Sequence, residues 1–147
     1  GGDTAFIIPN TDTTLTIPST SERVITVGAY DSANISTVGF SGRGYTRATE
    51  YIKPDLVAPG VNILTTTVGE SITSFTGTSA AAPFVAGSAA LLMEWGIVDR
   101  NDIFLYGERL KAFLCNGAIR DNSREYPNRE WGYGRLCLKN TLDLLKK

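Results

Sequence analysis

The sequence predicts an α/β unit, a parallel sheet flanked by helices around one central helix. Short β-branched runs apolar on both faces, a charge-free stretch over residues 71–93, and a length suited to one domain carry that prediction. The chain has 147 residues and a mass of 15.8 kDa, the size of one compact domain able to bury roughly two-thirds of its unfolded surface. Hydrophobic residues make up 42% and charged residues 20%, which excludes an intrinsically disordered chain. Fourteen Lys and Arg stand against fifteen Asp and Glu, so no basic excess is present to neutralise a phosphate backbone, and nucleic acid is not an expected partner. There is no histidine. An imidazole base or metal ligand cannot come from this chain. Cys115 and Cys137 are too few for a zinc site or a disulfide framework. A disulfide between them is geometrically allowed; two free, half-buried thiols are the simpler expectation.

The elements follow in order. Residues 1–23 form a Thr- and Pro-containing entry, and Gly1-Gly2-Asp3-Thr4 lacks the basic and apolar regions of a signal peptide. Val24-Ile25-Thr26-Val27-Gly28-Ala29 reads as a central strand covered on both faces. Asp31 to Thr49 is rich in turn residues, with Gly39, Gly42 and Gly44 around Arg43. Two more β-like blocks follow, Asp55 to Ala58, closed by Pro59-Gly60, and Val61 to Thr66. Ala80 to Trp95 is the clearest helix, with Gly96 expected to stop it. A second helix is expected over Leu105 to Leu114, and a third over Asn140 to Lys147, capped by Asn140 with lysines at its negative dipole end. The stretch 71–93 is long enough to span a bilayer, but seven of its residues are Ser or Thr and Pro83 interrupts it. It reads as a buried helix with its preceding loop, and no membrane span is expected.

The chemistry concentrates in Phe75-Thr76-Gly77-Thr78-Ser79-Ala80-Ala81-Ala82-Pro83. Gly77 lets the backbone turn sharply into a helix, whose N-terminus presents unpaired N–H groups and positive potential. A serine hydroxyl there can act as a nucleophile whose oxyanion meets its own backbone N–H, with the Thr78 hydroxyl as a second donor. Pro83 is expected in the first turn, where a missing N–H costs nothing. Small residues at positions 80, 81, 82, 86, 87, 89 and 90 allow close approach by neighbours, which makes the helix central. The plain alternative is that Ser79 only caps the helix. The full pattern Gly-Thr-Ser-x-Ala-x-Pro weighs against it, since ordinary residue frequencies give a chance occurrence on the order of 10⁻⁴ in such a chain.

That block resembles the nucleophile segment of the subtilisin-like serine proteases, the subtilases. Three further segments are similar to the family in its order: Pro18 followed by Val24 to Ala29 with the Phe40-Ser41-Gly42-Arg43-Gly44 turn, Lys53-Pro54-Asp55-Leu56-Val57-Ala58-Pro59-Gly60-Val61-Asn62-Ile63, and Gly132-Tyr133-Gly134. Ala80 stands where methionine is usual, and Phe84 where histidine is frequent. Asp12 to Thr20, Leu91 to Val98 and Leu105-Tyr106-Gly107 look like clostridial subtilases, a group that includes bilobed proteases processing a germination enzyme in spores.

The resemblance implies that residues 1–147 are the C-terminal segment of one subtilase catalytic domain, with residues 1–11 as the return from an upstream inserted β-domain. It implies a serine endopeptidase in which Ser79 is the nucleophile, supported by Thr78 and Gly77. The Asp and His of the triad, the oxyanion Asn and most of the substrate pocket are expected upstream, so the chain alone is expected to be inactive. Asn10 lacks the flanking glycine of the oxyanion block and is not assigned. The expected partners are that upstream segment and a polypeptide substrate. No cofactor is expected in the chemistry; calcium is a common structural ion in the family, without a complete ligand set here. The implied location is secreted, extracytoplasmic or spore-associated. A competing reading is a subtilase-derived pseudoprotease acting as a binding or signalling scaffold.

Other clusters receive plain readings. Asp99, Asn101 and Asp102 form a capping loop, Arg43, Arg47, Glu50 and Lys53 a solvated charged loop, and Trp95, Phe104, Tyr106 and Phe113 core or interface aromatics. The Ile17–Pro18 bond is expected to be cis by the same resemblance. Open apolar strand edges are expected around residues 24–29 and 62–67.

Overall fold

A computed structural model describes residues 7–69 and 71–146. Strand β1 (Val27–Asp31) pairs in parallel with β3 (Leu56–Pro59), from Val27 opposite Leu56 to Tyr30 opposite Pro59, and antiparallel with the two-residue β2 (Ser36–Thr37). Strands β4 (Ile63–Thr67) and β5 (Ser71–Phe75) form a separate antiparallel hairpin. Helix α1 (Thr78–Met93) runs on as a π-helical turn (Glu94–Val98), followed by α2 (Gly107–Asn116) and α3 (Leu138–Leu145). Only one strand pair is parallel among the described residues, so the sheet is mixed. Of the expected return segment 1–11, residues 1–6 lie outside the described residues, and 7–11 are exposed.

The core lies between the sheet and the helices. Ala29, Leu56 and Ala58 from the sheet meet Ala81, Val85 and Leu92 of α1, and Leu105, Leu110, Leu114, Cys115 and Ala118 close the other side. By length and composition alone, Thr78–Val98 could cross a membrane. It packs against β1 and β3 on one face only: Ala82, Phe84, Ala86, Gly87, Ala90 and Leu91 are exposed.

Several expected boundaries shift for identifiable reasons. Strand β1 starts at Val27, not Val24, because the Asp55 carboxylate takes the Thr26 N–H at 2.7 Å in place of a ladder partner. Gly96 does not stop the helix; it lies inside the π-turn, where a Cβ would press on the Asp102 carbonyl and the Leu105 side chain, and its carbonyl accepts the Asp102 N–H. Asn140 does not cap α3, whose N-cap is Cys137, so Asn140 lies within the first turn. Lys146 is the C-cap residue, and Lys147 lies outside the described residues. The Ile17–Pro18 bond is cis. Phe104 and Tyr106 are exposed, whereas Trp95 and Phe113 pack on the core. The Asp99–Asp102 segment does not cap α2, which has no side-chain cap; Asn101 donates instead to the Trp95 carbonyl in the π-turn, while Asp102 accepts the Phe104 N–H and pairs with Arg109.

The largest correction concerns Lys53, which is not on a solvated loop but buried, with 2% of its side chain exposed. Its ammonium lies 2.7 Å from Asp55 Oδ2 and donates to the Val24 carbonyl, while Lys111 of α2 reaches Asp55 Oδ1 at 2.8 Å. Burial pushes Lys53 below its ordinary pKa, against the opposing hydrogen bond and charge of Asp55. Burial acts in the same direction on Lys111, but Asp55 outweighs it and holds Lys111 above its ordinary value. Arg43, from the same predicted loop, is also tied down, at 2.5 Å from Glu130.

The C-terminal turn seals the outer edge of β3. Tyr133 N–H donates to the Asp55 carbonyl, Val57 N–H to Gly134, and Leu136 N–H to Val57. Gly132 is left-handed (φ 55°), and a Cβ there would collide with the Pro54 carbonyl. Trp131 is buried against Tyr30, with the Arg124 guanidinium 4.7 Å from its ring.

Candidate active site

The Gly-Thr-Ser block sits where the exposed hairpin becomes the central helix. Gly77 is the N-cap, Thr78 the first helical residue and Ser79 the second. Ser79 is therefore not a cap, which removes the plain alternative for this serine. No side chain caps α1 and no acidic residue occupies its first turn, so the positive end of the helix is left for a ligand. Ser79 is exposed there, Thr78 is half-buried beside it, and the Ala80 N–H closes the turn on the Gly77 carbonyl at 3.0 Å.

Pro83 lies in the second turn rather than the first. Its missing N–H is the one that would bond the Ser79 carbonyl, and its ring crowds that carbonyl. The proline thus acts on the backbone of Ser79 itself.

Two hydrogen bonds anchor the turn to the corner between β3 and β4. The Gly77 N–H donates to the Gly60 carbonyl at 2.8 Å, and the Asn62 N–H donates to the Thr76 hydroxyl at 2.9 Å. Gly60 admits no side chain, since a Cβ would lie 2.6 Å from the Ala29 Cβ and 3.0 Å from the Gly77 carbonyl. Nothing local in the sequence marks these supports beyond the Pro59-Gly60 pair, because they join segments 14 to 17 residues apart.

On the other side of Thr78 lies a cleft of about 500 Å³. Its walls include Leu15, Thr26, Val27, Phe40, Ser41 and Arg43, and Asn10 reaches its rim. Asn10 uses its Oδ1 to accept the Asp12 N–H at 2.9 Å. Ser41, from the Phe-Ser-x-x-Gly turn, accepts the Ala29 N–H and so fixes this wall to β1.

Among the described residues, no carboxylate or lysine hydrogen-bonds the Ser79 hydroxyl. Lys53 and Lys111, the lysines a Ser–Lys pair would need, are both held on Asp55. Cys115 is buried, and that burial, with the nearby Asp55 charge, pushes its thiol up to about 12, so it is no competing nucleophile. Cys115 and Cys137 are both free thiols. No group of three Cys, Asp or Glu among the described residues is placed to hold a metal ion.

Comparison with known proteins gives a consistent answer. The subtilase family model matches residues 2–134. Serine protease AprX of Bacillus subtilis is 32% identical over a 149-residue alignment covering 88% of this chain and 32% of AprX. Minor extracellular protease Vpr of the same organism is 33% identical over 70% of this chain and 13% of its own length. Among solved structures, the CspB protease of Clostridium perfringens superimposes with a TM-score of 0.94 at 50% identity, covering 98% of this chain and 31% of that one. The chain thus spans about a third of AprX and of CspB. With the family pattern matched across its sheet, nucleophile turn and C-terminal turn, the chain belongs to the subtilase family of serine proteases.

Proposed function

We propose that this chain supplies the nucleophile of a serine endopeptidase, with Ser79 acting in a triad whose Asp and His come from outside these residues. The observation that carries the reading is Ser79 itself, exposed at the second position of an uncapped, apolar helix. The Ser79 Oγ attacks the carbonyl carbon of a peptide bond, and the His takes the hydroxyl proton and passes it to the leaving amine. The Asp orients that His, and water then releases the acyl group from Ser79. The Ser79 N–H and the Thr78 hydroxyl face the developing oxyanion, joined by an Asn donor from the segment that bears the Asp and His. A polypeptide substrate lies along the exposed side of the turn. Vpr, an extracellular protease by name, supports a secreted or extracytoplasmic site of action. The chemistry needs no cofactor, and calcium, where it binds, plays a structural part.

A serine hydroxyl is a weak nucleophile without a base. The test is labelling by a fluorophosphonate probe and peptide hydrolysis by three samples: the chain alone, the chain assembled with the Asp- and His-bearing segment, and that assembly carrying Ser79→Ala. Only the second should label and turn over. Loss of the serine should lower kcat on the order of 10⁶-fold, the magnitude measured in a subtilisin itself. An assembly with intact Asp and His that stays unreactive would instead favour the scaffold reading. Labelling of the chain alone at the assembled rate would show that it carries its own base.

A further inference from the structure

We infer that Thr76 is a positioning residue for Ser79, acting through the hydrogen bond its hydroxyl accepts from the Asn62 N–H. The inference rests on the proposed role of Ser79 and adds a residue to its support. The turn at 76–79 must hold a nucleophile in place, yet it emerges from a strand with almost no packing. Every residue of β5 is exposed, and so is Thr76. Helix α1 lacks a side-chain cap that would otherwise define how the chain enters it. On the helix side the buried Ala80 and Ala81 hold the turn, and on the strand side its pair of hydrogen bonds to the β3–β4 corner does, Gly77 N–H to Gly60 O and Asn62 N–H to Thr76 Oγ1.

That corner is well suited to serve as the fixed point. Gly60 donates its own N–H to the Tyr30 carbonyl at the end of β1, and it is packed against Ala29 without room for a side chain. Asn62 holds a left-handed conformation (φ 52°), which asparagine tolerates better than most residues. Its Oδ1 in turn accepts the Ser74 hydroxyl at 3.4 Å. Thr76 thus sits between a rigid strand end and the nucleophile three residues on. The Gly60 contact joins backbone atoms and depends on a glycine at position 60, whereas the Asn62 contact depends on an accepting side chain at position 76.

A side chain that merely stabilises the hairpin and one that positions Ser79 differ in what their loss does per active site. Misplacement by about 1 Å can cost on the order of 10²-fold in rate. One exposed hydrogen bond restrains less, so we expect Thr76→Val to lower kcat about five- to tenfold, with KM within about twofold of the parent. Thr76→Ser keeps the hydroxyl and should restore most of the loss.

The assay uses the assembled protease, normalised by fluorophosphonate titration of Ser79, together with amide hydrogen exchange at Asn62 and Gly77. Faster exchange at Asn62 in Thr76→Val, with the kcat loss and its rescue by serine, supports the inference. Parental kcat per titrated site in Thr76→Val would overturn it, even if the unfolding temperature falls, as would an equal loss in Thr76→Ser. A parental assembly that never labels at Ser79 would remove the nucleophile role, and the inference with it.

Discussion

The two faces of helix α1 are chemically alike and physically opposite. Ala80, Ala81, Val85 and Leu92 are buried against the sheet, while Ala82, Phe84, Ala86, Gly87, Ala90 and Leu91 on the reverse face are exposed. A helix on the surface of a complete domain carries one apolar stripe and one polar face. This one carries apolar residues all round. The same contrast divides the rest of the molecule. β1, β3 and the C-terminal turn are sealed around Asp55, whereas the β4–β5 hairpin leaves Leu64 76% and Ile72 74% exposed. Exposed apolar surface of that kind is prone to contact with protein, membrane, ligand or a second copy of the chain. The packed side shows what such residues do once covered, and the open side shows the same residue types facing outward.

The packed side should break hardest at Asp55. Its carboxylate is 3% exposed, accepts the Thr26 N–H, and holds two ammonium groups. Asp55→Ala leaves Lys53 and Lys111 facing one another without a counter-charge, and truncating one member of a buried ion cluster costs about 3–5 kcal/mol. We expect that substitution to abolish the folded chain or drop its denaturation midpoint sharply in urea titrations. Asp55→Asn, which keeps an acceptor of the same shape, should fall between. A parental midpoint for Asp55→Ala would mean that the packed side is held by its apolar contacts alone.

The contrast between the two sides also explains what the sequence disclosed. A charge-free run of small residues marks α1 in the sequence, and the Gly-Thr-Ser block singles out Ser79, because both signals are local. Positions set by distant partners were illegible. Lys53 reads as a loop lysine until Asp55 and Lys111 converge on it, and β1 loses its first three expected residues to the Asp55 carboxylate. Strand β5 was missed because Ser71-Ile72-Thr73-Ser74-Phe75 carries a weak apolar pattern, and its pairing with β4 is what makes it a strand. Pro83 looked like a first-turn proline because the helix was expected to begin at Ala80 rather than Thr78.

A smaller effect on the packed side comes from Cys115, whose thiol is pushed up from an ordinary 9.0 to about 12, first by burial and then by the Asp55 charge. Below pH 9 the folded and unfolded chains both hold this proton, and the thiol leaves stability unchanged with pH. Above pH 9 the unfolded chain ionises first, so stability should fall by about 1.4 kcal/mol per pH unit until the folded thiol also ionises near pH 12. Denaturant midpoints of the parent and Cys115→Ala between pH 8.5 and 10.5 would isolate this slope. Equal slopes in the two proteins would show that Cys115 is not sealed in the way its neighbours imply.

The smallest effect should come from the open side, where it separates folding from assembly. Leu64 and Ile72 lie on one face of the hairpin, Leu64 opposite Ser74 and Ile72 opposite Thr66, with Val68 beyond them. In the chain alone these side chains contribute little burial, so Leu64→Ser and Ile72→Ser should each change stability by no more than about 0.5 kcal/mol. They should nonetheless reduce self-association of the chain, because the same face offers the apolar surface that a second molecule would cover. Sedimentation of the parent and the double substitution across a concentration series tests both halves of the statement. If the double substitution loses as much stability as a core truncation, about 2–5 kcal/mol, the hairpin is folded against something within the chain and the division into packed and open sides fails. If stability is kept and association is also unchanged, the sticky surface lies instead on the outer face of α1, where Phe84→Ser and Leu91→Ser become the decisive pair.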